Sequence, residues 1–466
     1  MLAPLAPLLL LQLAAAVVPS LALPLTDAET RQQGAVRAAG DALARAATPA
    51  AGSLVVTPHT PAHTLPSLSF APGVNDPLYV QLTRSLPGIL DKAIEITKHS
   101  WELGTLTNVL VEVYNPELSP FGFLPSAWNS SAHPNLPLTV VNITAQELAG
   151  YDFSGAPKAA TTNLAALLSS TTPRALVDGA GSLGDPAALG PAAWITANFA
   201  DQVRVLNNSG VSGLQRDAAY AWAVGNQLAD LYAGPRADNG TISQRTEEFQ
   251  LWSDMGYMIP PFLAYLGLTT NNATLLGEAL NQWSLESSAL LDPAANLYRH
   301  VHYWDTGFWL TGNGWMLSGL VRVLASIAKS PFAAQFATQT DAAARTAAKV
   351  FAALFNAADD WGLIATYIGA TDGAAALTDS TGTAAVAGAF YRFLVLRPDL
   401  AAPLKPKADL AFRGVVSKIN GANWLTAVVD PQGTNGFLRN DAANVRSPEG
   451  QSLLGALWAA RTAAGQ

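Results

Sequence analysis

Asp254 stands between two aromatic side chains in Trp252-Ser253-Asp254-Met255-Gly256-Tyr257, where a Ser-Asp pair opens an apolar run. A carboxyl group placed there has two uses. At the start of a helix near Ser253 it complements the positive end of the helix dipole, which favours the carboxylate and lowers its pKa. Desolvated beside Trp252 and Tyr257, it is held neutral and becomes a proton donor. The two effects oppose each other, and residue order leaves both open. His300 and His302 fall in the segment Tyr298-Arg299-His300-Val301-His302-Tyr303-Trp304-Asp305, and only one of them is expected to face a cleft; a structural role for His300 is the alternative. A metal centre is not expected. The other histidines (His59, His63, His99, His133) are scattered, no carboxylate cluster accompanies them, and cysteine is absent. Trp309 and Trp315, six residues apart, are about 240° apart around a helix and cannot share a face. Trp309 is therefore expected to precede a helix and line an opening, with Trp315 either beside it or in the core. Asn313 can cap a helix starting at Gly314, while Gly312 and Gly314 permit close backbone approach.

The elements that must position these residues are helical. From about Leu78, Ala- and Leu-rich stretches alternate with short breaks of Gly, Pro, Asn and Asp. Helices are expected near 78–98, 102–114, 193–207, 214–232, 253–267, 273–291, 314–329, 339–357, 380–396, 402–420 and 448–463. Stretches such as Ala384 to Phe393 and Trp315 to Ile327 are apolar nearly all round and must be buried on most sides. The segment 339–357 carries Asp341, Arg345 and Lys349 on one side and suits an outer position. Inner helices alternating with amphipathic outer ones point to an all-α fold, an (α/α)6 toroid of six helical hairpins. The clearest strand signal is Leu138-Thr139-Val140-Val141.

Composition narrows the function. The 466 residues are 50% hydrophobic and 13% charged, with a net charge of −8. No Lys/Arg cluster is present, which argues against a nucleic-acid partner. Leu8 to Val18 is an apolar run followed by Pro19 and the small-x-small Ser20-Leu21-Ala22, the pattern of a secretory signal peptide comprising residues 1–22. The run is short for a membrane anchor. Residues 23–65 read as an Ala/Pro/Thr-rich leader or linker, and 66–466 as one domain. Sequons at Asn129, Asn142, Asn207, Asn239 and Asn272 fit an extracellular glycoprotein. A monomer is favoured, and no cofactor is expected.

Three ordered blocks carry a family resemblance. Trp252-Ser253-Asp254-Met255-Gly256-Tyr257-Met258-Ile259-Pro260-Pro261-Phe262-Leu263, Trp309-Leu310-Thr311-Gly312-Asn313-Gly314-Trp315 and Ser380-Thr381-Gly382-Thr383-Ala384 resemble motifs of the unsaturated rhamnogalacturonyl and unsaturated glucuronyl hydrolases of the six-hairpin glycosidase superfamily. Ser447-Pro448-Glu449-Gly450-Gln451 is similar to a C-terminal motif of fungal members. The resemblance implies a glycoside hydrolase of pectin-type oligosaccharides that hydrates the C4=C5 double bond of a terminal unsaturated uronic acid. It makes Asp254 the proton-transfer residue and implies substrate contacts from His300, Trp309, Trp252, Tyr257, Trp315, Thr311 and Asn313. Such a mechanism needs one carboxyl group, unlike the flanking pair of ordinary glycosidases. The chain departs from the bacterial pattern at three places: Thr311 replaces a substrate-binding Arg, Gln244 stands near an expected His, and Tyr220 occupies the place of an expected Asp. Alternatives are another toroid glycosidase, a polysaccharide lyase, or a carbohydrate-binding protein that lacks the chemistry.

Overall fold

The computed structural model divides into two units, residues 1–55 and 56–466. It describes residues 76–128, 137–156, 171–203, 216–430 and 446–465, with Leu65, Leu68, Leu438 and Arg439. The signal segment, the leader segment apart from Leu65, and the sequons at Asn129 and Asn207 lie outside the described residues.

The principal helices are α1 (Pro77–Ile96), α2 (Ser100–Tyr114), α3 (Leu138–Glu147), α4 (Gly190–Val203), α5 (Arg216–Ala233), α6 (Met255–Met258), α7 (Pro260–Thr269), α8 (Ala273–Leu290), α9 (Leu310–Lys329), α10 (Ala337–Asn356), α11 (Ser380–Leu396), α12 (Lys405–Val416) and α13 (Pro448–Ala463). Their packing makes a closed circuit of inner helices. α2 packs on α13, α13 on α11, α11 on α9, α9 on α7, α7 on α4, and α4 returns to α2. The remaining long helices lie outside, pairing with the inner ones as hairpins. Burial follows the sequence. Every residue of α9 from Leu310 to Ile327 is buried, as is every residue of α11 from Ser380 to Phe393. In α10 burial is confined to a stripe of Ala343, Ala344, Ala347, Val350, Phe351, Leu354 and Phe355, the i, i+3, i+4 signature of an outer helix.

The expected helix over 253–267 is two helices, because Pro260 and Pro261 supply no N–H groups to the turn that would join α6 to α7. The strand expected at Leu138–Val141 is the first turn of α3 instead. Val140, Val141, Thr144 and Ala145 are buried at helical spacing, and the Thr144 hydroxyl donates to the Val140 carbonyl at 2.8 Å. Of the described sequons, Asn239 is exposed, whereas Asn142 and Asn272 are half-buried.

Among the described residues, strand structure is limited to short antiparallel ladders, and two of them aim chain segments at one end of the circuit. β1 (Leu291–Asp292) pairs with β2 (Leu297–Tyr298), turning the chain back toward His300. β3 (Ile364–Ala365) pairs with β4 (Thr378–Asp379), delivering Asp379 to the start of α11. β5 (Val429–Asp430) pairs with β6 (Leu438–Arg439).

Candidate active site

The N-termini of the inner helices bring the chemically capable side chains together. Asp254 is the N-cap of α6 but makes no side-chain capping hydrogen bond, so it does not serve the helix start. Its side chain is 17% exposed, and its Oδ2 is buried, without a hydrogen-bond partner, 3.8 Å from Nε2 of His300. Burial raises its pKa above the usual carboxylate value, and the charge of His300 works against that shift. The balance between helix start and desolvation therefore falls to desolvation.

The local chain explains how Asp254 meets His300. Trp252 bridges to Val301, the Ser253 N–H donates to the His300 carbonyl at 2.8 Å, and the His302 N–H donates to the Leu251 carbonyl at 3.1 Å. Residues two apart in a regular strand share a face. A tight turn, closed by the Val301 N–H on the Asp305 carbonyl at 2.7 Å, separates the two histidines: His300 is buried and His302 exposed.

Asp305 and Tyr367 orient the His300 ring. Asp305 Oδ2 lies 2.7 Å from His300 Nδ1 and accepts the Tyr367 hydroxyl at 2.5 Å. Burial would raise the Asp305 pKa, but the hydrogen bonds from His300 and Tyr367 hold it below the usual value. An ionised carboxylate only accepts, so the proton sits on Nδ1 and Nε2 is left toward Asp254. Trp309, the N-cap of α9, packs against the imidazole at 4.5 Å between ring centres. It precedes its helix as expected, but it is buried and backs His300 rather than lining an opening. Trp252 and Trp304 flank the imidazole at 5.8 and 6.2 Å, and Gln250 Oε1 accepts from both indole N–H groups. Trp304 is 51% exposed, so it offers an aromatic face at the rim.

Asp254 has carboxyl neighbours that residue order did not single out. Asp185 lies in the 3-10 turn Asp185–Leu189 that leads into α4. Gln244 Nε2 donates to its Oδ1 at 3.3 Å and to Ser182 Oγ at 2.9 Å. Burial and then the charge of Asp254 push the Asp185 pKa up to about 7. Glu286 of α8 is buried with an unpartnered Oε1, and burial and the Asp254 charge raise its pKa well above the usual value. Glu449 of α13 accepts from the Trp101 indole at 2.7 Å, and its pKa rises to about 8 through burial, Glu102 and, more weakly, Asp254 and Asp379. Tyr220 brings no carboxylate to the site, whereas Asp185, some 70 residues before Asp254 in order, couples to Asp254 electrostatically. The signal for it was a polar Asp in an otherwise apolar helix lead-in, Leu183-Gly184-Asp185-Pro186-Ala187.

The other sequence candidates take supporting positions. Thr311 is buried and donates to Asp379 Oδ2 at 3.2 Å; Asp379 in turn caps α11 through Thr381 N and Gly382 N. Asn313 does not cap a helix at Gly314, because α9 already begins at Leu310. Its side chain instead accepts from Tyr298 N at 2.8 Å and donates to the Tyr298 and Trp309 carbonyls at 2.9 Å each, fixing the segment that carries His300. Tyr257 and Trp315 are fully buried with ring centres 4.8 Å apart, away from the open rim. A carbon at Gly312 would stand 2.1 Å from Ser253 Oγ, so glycine is what allows α9 to approach the Asp254 segment.

The arrangement pairs a desolvated acid with an oriented imidazole and an aromatic rim, which equips it for proton transfer to a bound ring. The sequence profile of Glycosyl Hydrolase Family 88 matches residues 214–454. No curated protein sequence matches the chain. Among solved structures, a possible member of the GH105 family from Salmonella enterica is similar at 15% identity and TM-score 0.58, covering 89% of this chain and 98% of its own. A glycoside hydrolase of family 105 from C. acetobutylicum is similar at 16% identity and TM-score 0.55, covering 82% and 99%. An unsaturated glucuronyl hydrolase specific for heparin is similar at 14% identity and TM-score 0.50, covering 83% and 96%. These likenesses are those of the helical toroid. With a family profile spanning more than half its length, and three ordered motifs on one closed circuit of helices, the chain belongs to Glycosyl Hydrolase Family 88 and is a glycoside hydrolase.

Proposed function

We propose that the enzyme acts on oligosaccharides that end in an unsaturated uronic acid, and that it releases this sugar by hydrating its C4=C5 double bond. The supporting observation is Asp254: one carboxyl group, raised in pKa by burial, opening toward the rim beside an oriented His300. Asp254 gives its proton to C4 of the enol ether, and positive charge develops at C5. A water adds at C5 and returns a proton to the Asp254 carboxylate. The resulting hemiketal opens and releases the aglycone, so one water is consumed and Asp254 ends as it began. The unprotonated Nε2 of His300 faces the Asp254 carboxyl group and favours the neutral acid to which the proton returns. Asp185, neutral below about pH 7, can donate a hydrogen bond to the sugar. Trp304 offers a stacking face for the ring or its neighbour. Pectin-derived oligosaccharides met outside the cell fit the signal-like segment at residues 1–22 and the sequons.

The test is loss of the ultraviolet absorbance of the conjugated enol across a panel of unsaturated uronides. Asp254→Asn should lower kcat by about 10²–10⁴-fold with unchanged helical circular dichroism. An unchanged rate in that variant rejects the mechanism. A second reading, a different sugar on the same toroid, draws on Thr311, which bonds to Asp379 where the related motif has an arginine. Wild-type turnover of saturated or neutral glycans, with none of any unsaturated uronide, would select it.

A further inference from the structure

Glu112, Arg322 and Arg392 form a buried ion cluster remote from the active site. Ser100 to Glu112 in α2, Leu310 to Arg322 in α9 and Ser380 to Arg392 in α11 each span twelve helical steps. At about 1.5 Å per residue, the cluster lies roughly 18 Å along the inner helices from the ends that carry the catalytic groups. Both guanidinium groups bond to the one carboxylate, Arg322 Nη2 to Oε1 and Arg392 Nη2 to Oε2, the latter at 3.0 Å. The half-buried Phe121 ring lies against both, 4.1 Å from the Arg392 guanidinium and 5.6 Å from that of Arg322. An aromatic face contributes a quadrupole but no net charge.

Two cations therefore share one anion where the arginine side chains are each 8% exposed and the glutamate 3%. Among the described residues, Glu112 is the carboxylate that acts on either arginine. Arginine does not shed its proton at ordinary pH, and a buried charge left uncompensated is strongly destabilising. Arg392 Nε is also buried without a hydrogen-bond partner. Beside the cluster is a cavity of about 330 Å³, counting its opening, lined by residues that include Glu112, Arg322, Asn108, Ser119, Pro120 and Tyr265. Its unfilled interior suits a single body of water or halide size. A water would satisfy the N–H groups but leave the charge unbalanced.

We propose that this cavity, lined by Arg322 of the Arg322–Glu112–Arg392 cluster, binds one small inorganic anion of halide size, chloride in ordinary solution, which supplies the missing negative charge beside α2 and α9. Bromide is the probe. A crystal soaked in sodium bromide should show an anomalous peak in the cavity, within hydrogen-bonding distance of Arg322. At constant ionic strength, with sodium gluconate replaced by sodium chloride, the Tm should rise by about 1–2 °C per tenfold increase in chloride above its Kd. Gluconate is too large for the cavity's unfilled interior, which holds a single body of water or halide size. Arg392→Met removes the excess charge and should abolish both the peak and the chloride dependence. If that variant does not fold, the wild-type bromide and chloride measurements decide by themselves. No anomalous peak, with the same Tm in chloride and gluconate, would mean that water fills the cavity and would overturn the proposal.

Discussion

At the scale of single residues, the site depends on how one imidazole is held. His300 meets Asp254 through Nε2 because Asp305 and Tyr367 occupy its other nitrogen. An Asp305→Asn side chain has an amide that can face Nδ1 with its N–H₂ group, which would favour the opposite tautomer and turn a donor toward Asp254. We expect Asp305→Asn to lower kcat by roughly tenfold or more with little change in KM. The acid limb of the pH–rate profile should move with it, whereas a merely structural loss would lower the amount of folded enzyme and leave the profile in place. Asp254 and His300 could be picked out from residue order because each stands in a recognisable block. Asp305 lay in the same quoted segment, but nothing in its spacing tells that a turn brings it back onto His300. Tyr367 and Asp185 are legible still less, since each reaches the site from a separate hairpin.

At the scale of elements, the positions that matter are the starts of the inner helices. Ser253 and Asp254 precede α6, Trp309 precedes α9, Asp379 precedes α11, and Glu449 sits in the first turn of α13. These helices can stand side by side only where small residues face one another. Gly312→Ala places a methyl group 2.1 Å from Ser253 Oγ, and the segments must separate. The expected result is a loss of about 1–3 kcal/mol of stability, read as a lower urea midpoint at unchanged m-value, together with reduced kcat. Unchanged stability and rate would show that the two segments are free to slide. Helix positions were readable from the chain because inner and outer helices differ in how far round they are apolar. The Leu138–Val141 segment misleads because β-branched residues suit either a strand or a buried helix face, and packing decides between them.

At the scale of the whole molecule, closing the helical circuit buries acidic groups that water would otherwise keep ionised. The proton of Asp185 is held to about pH 7 in the folded chain against an ordinary value of 3.8, and that of Glu449 to about pH 8 against 4.5. Folding therefore binds protons across this window. The stability these groups contribute is full in acid near pH 4 and is lost as pH rises through 7 and 8. Asp305 and Asp409, whose pKa values are lowered, are already ionised above pH 4 and leave the trend unaltered there. Urea unfolding should accordingly show a higher midpoint at pH 5 than at pH 8.5. Asp185→Asn should flatten the decline between about pH 4 and pH 7, and an equal slope there in variant and wild type would contradict the assignment.

Residue order alone determined the helical class and the alternation of inner and outer helices, and it singled out Asp254 as the candidate acid, because apolar periodicity and short motifs are local properties of the chain. It also carried the family resemblance through three blocks in the right order. Only the tertiary structure decided that Asp254 is desolvated rather than engaged by its helix, that Trp309 backs the histidine rather than facing the opening, and that Asp185 and Tyr367 belong to the site. The physical reason is common to all of these. Burial and charge coupling are sums over groups far apart in sequence, and they acquire values only once the helical circuit closes.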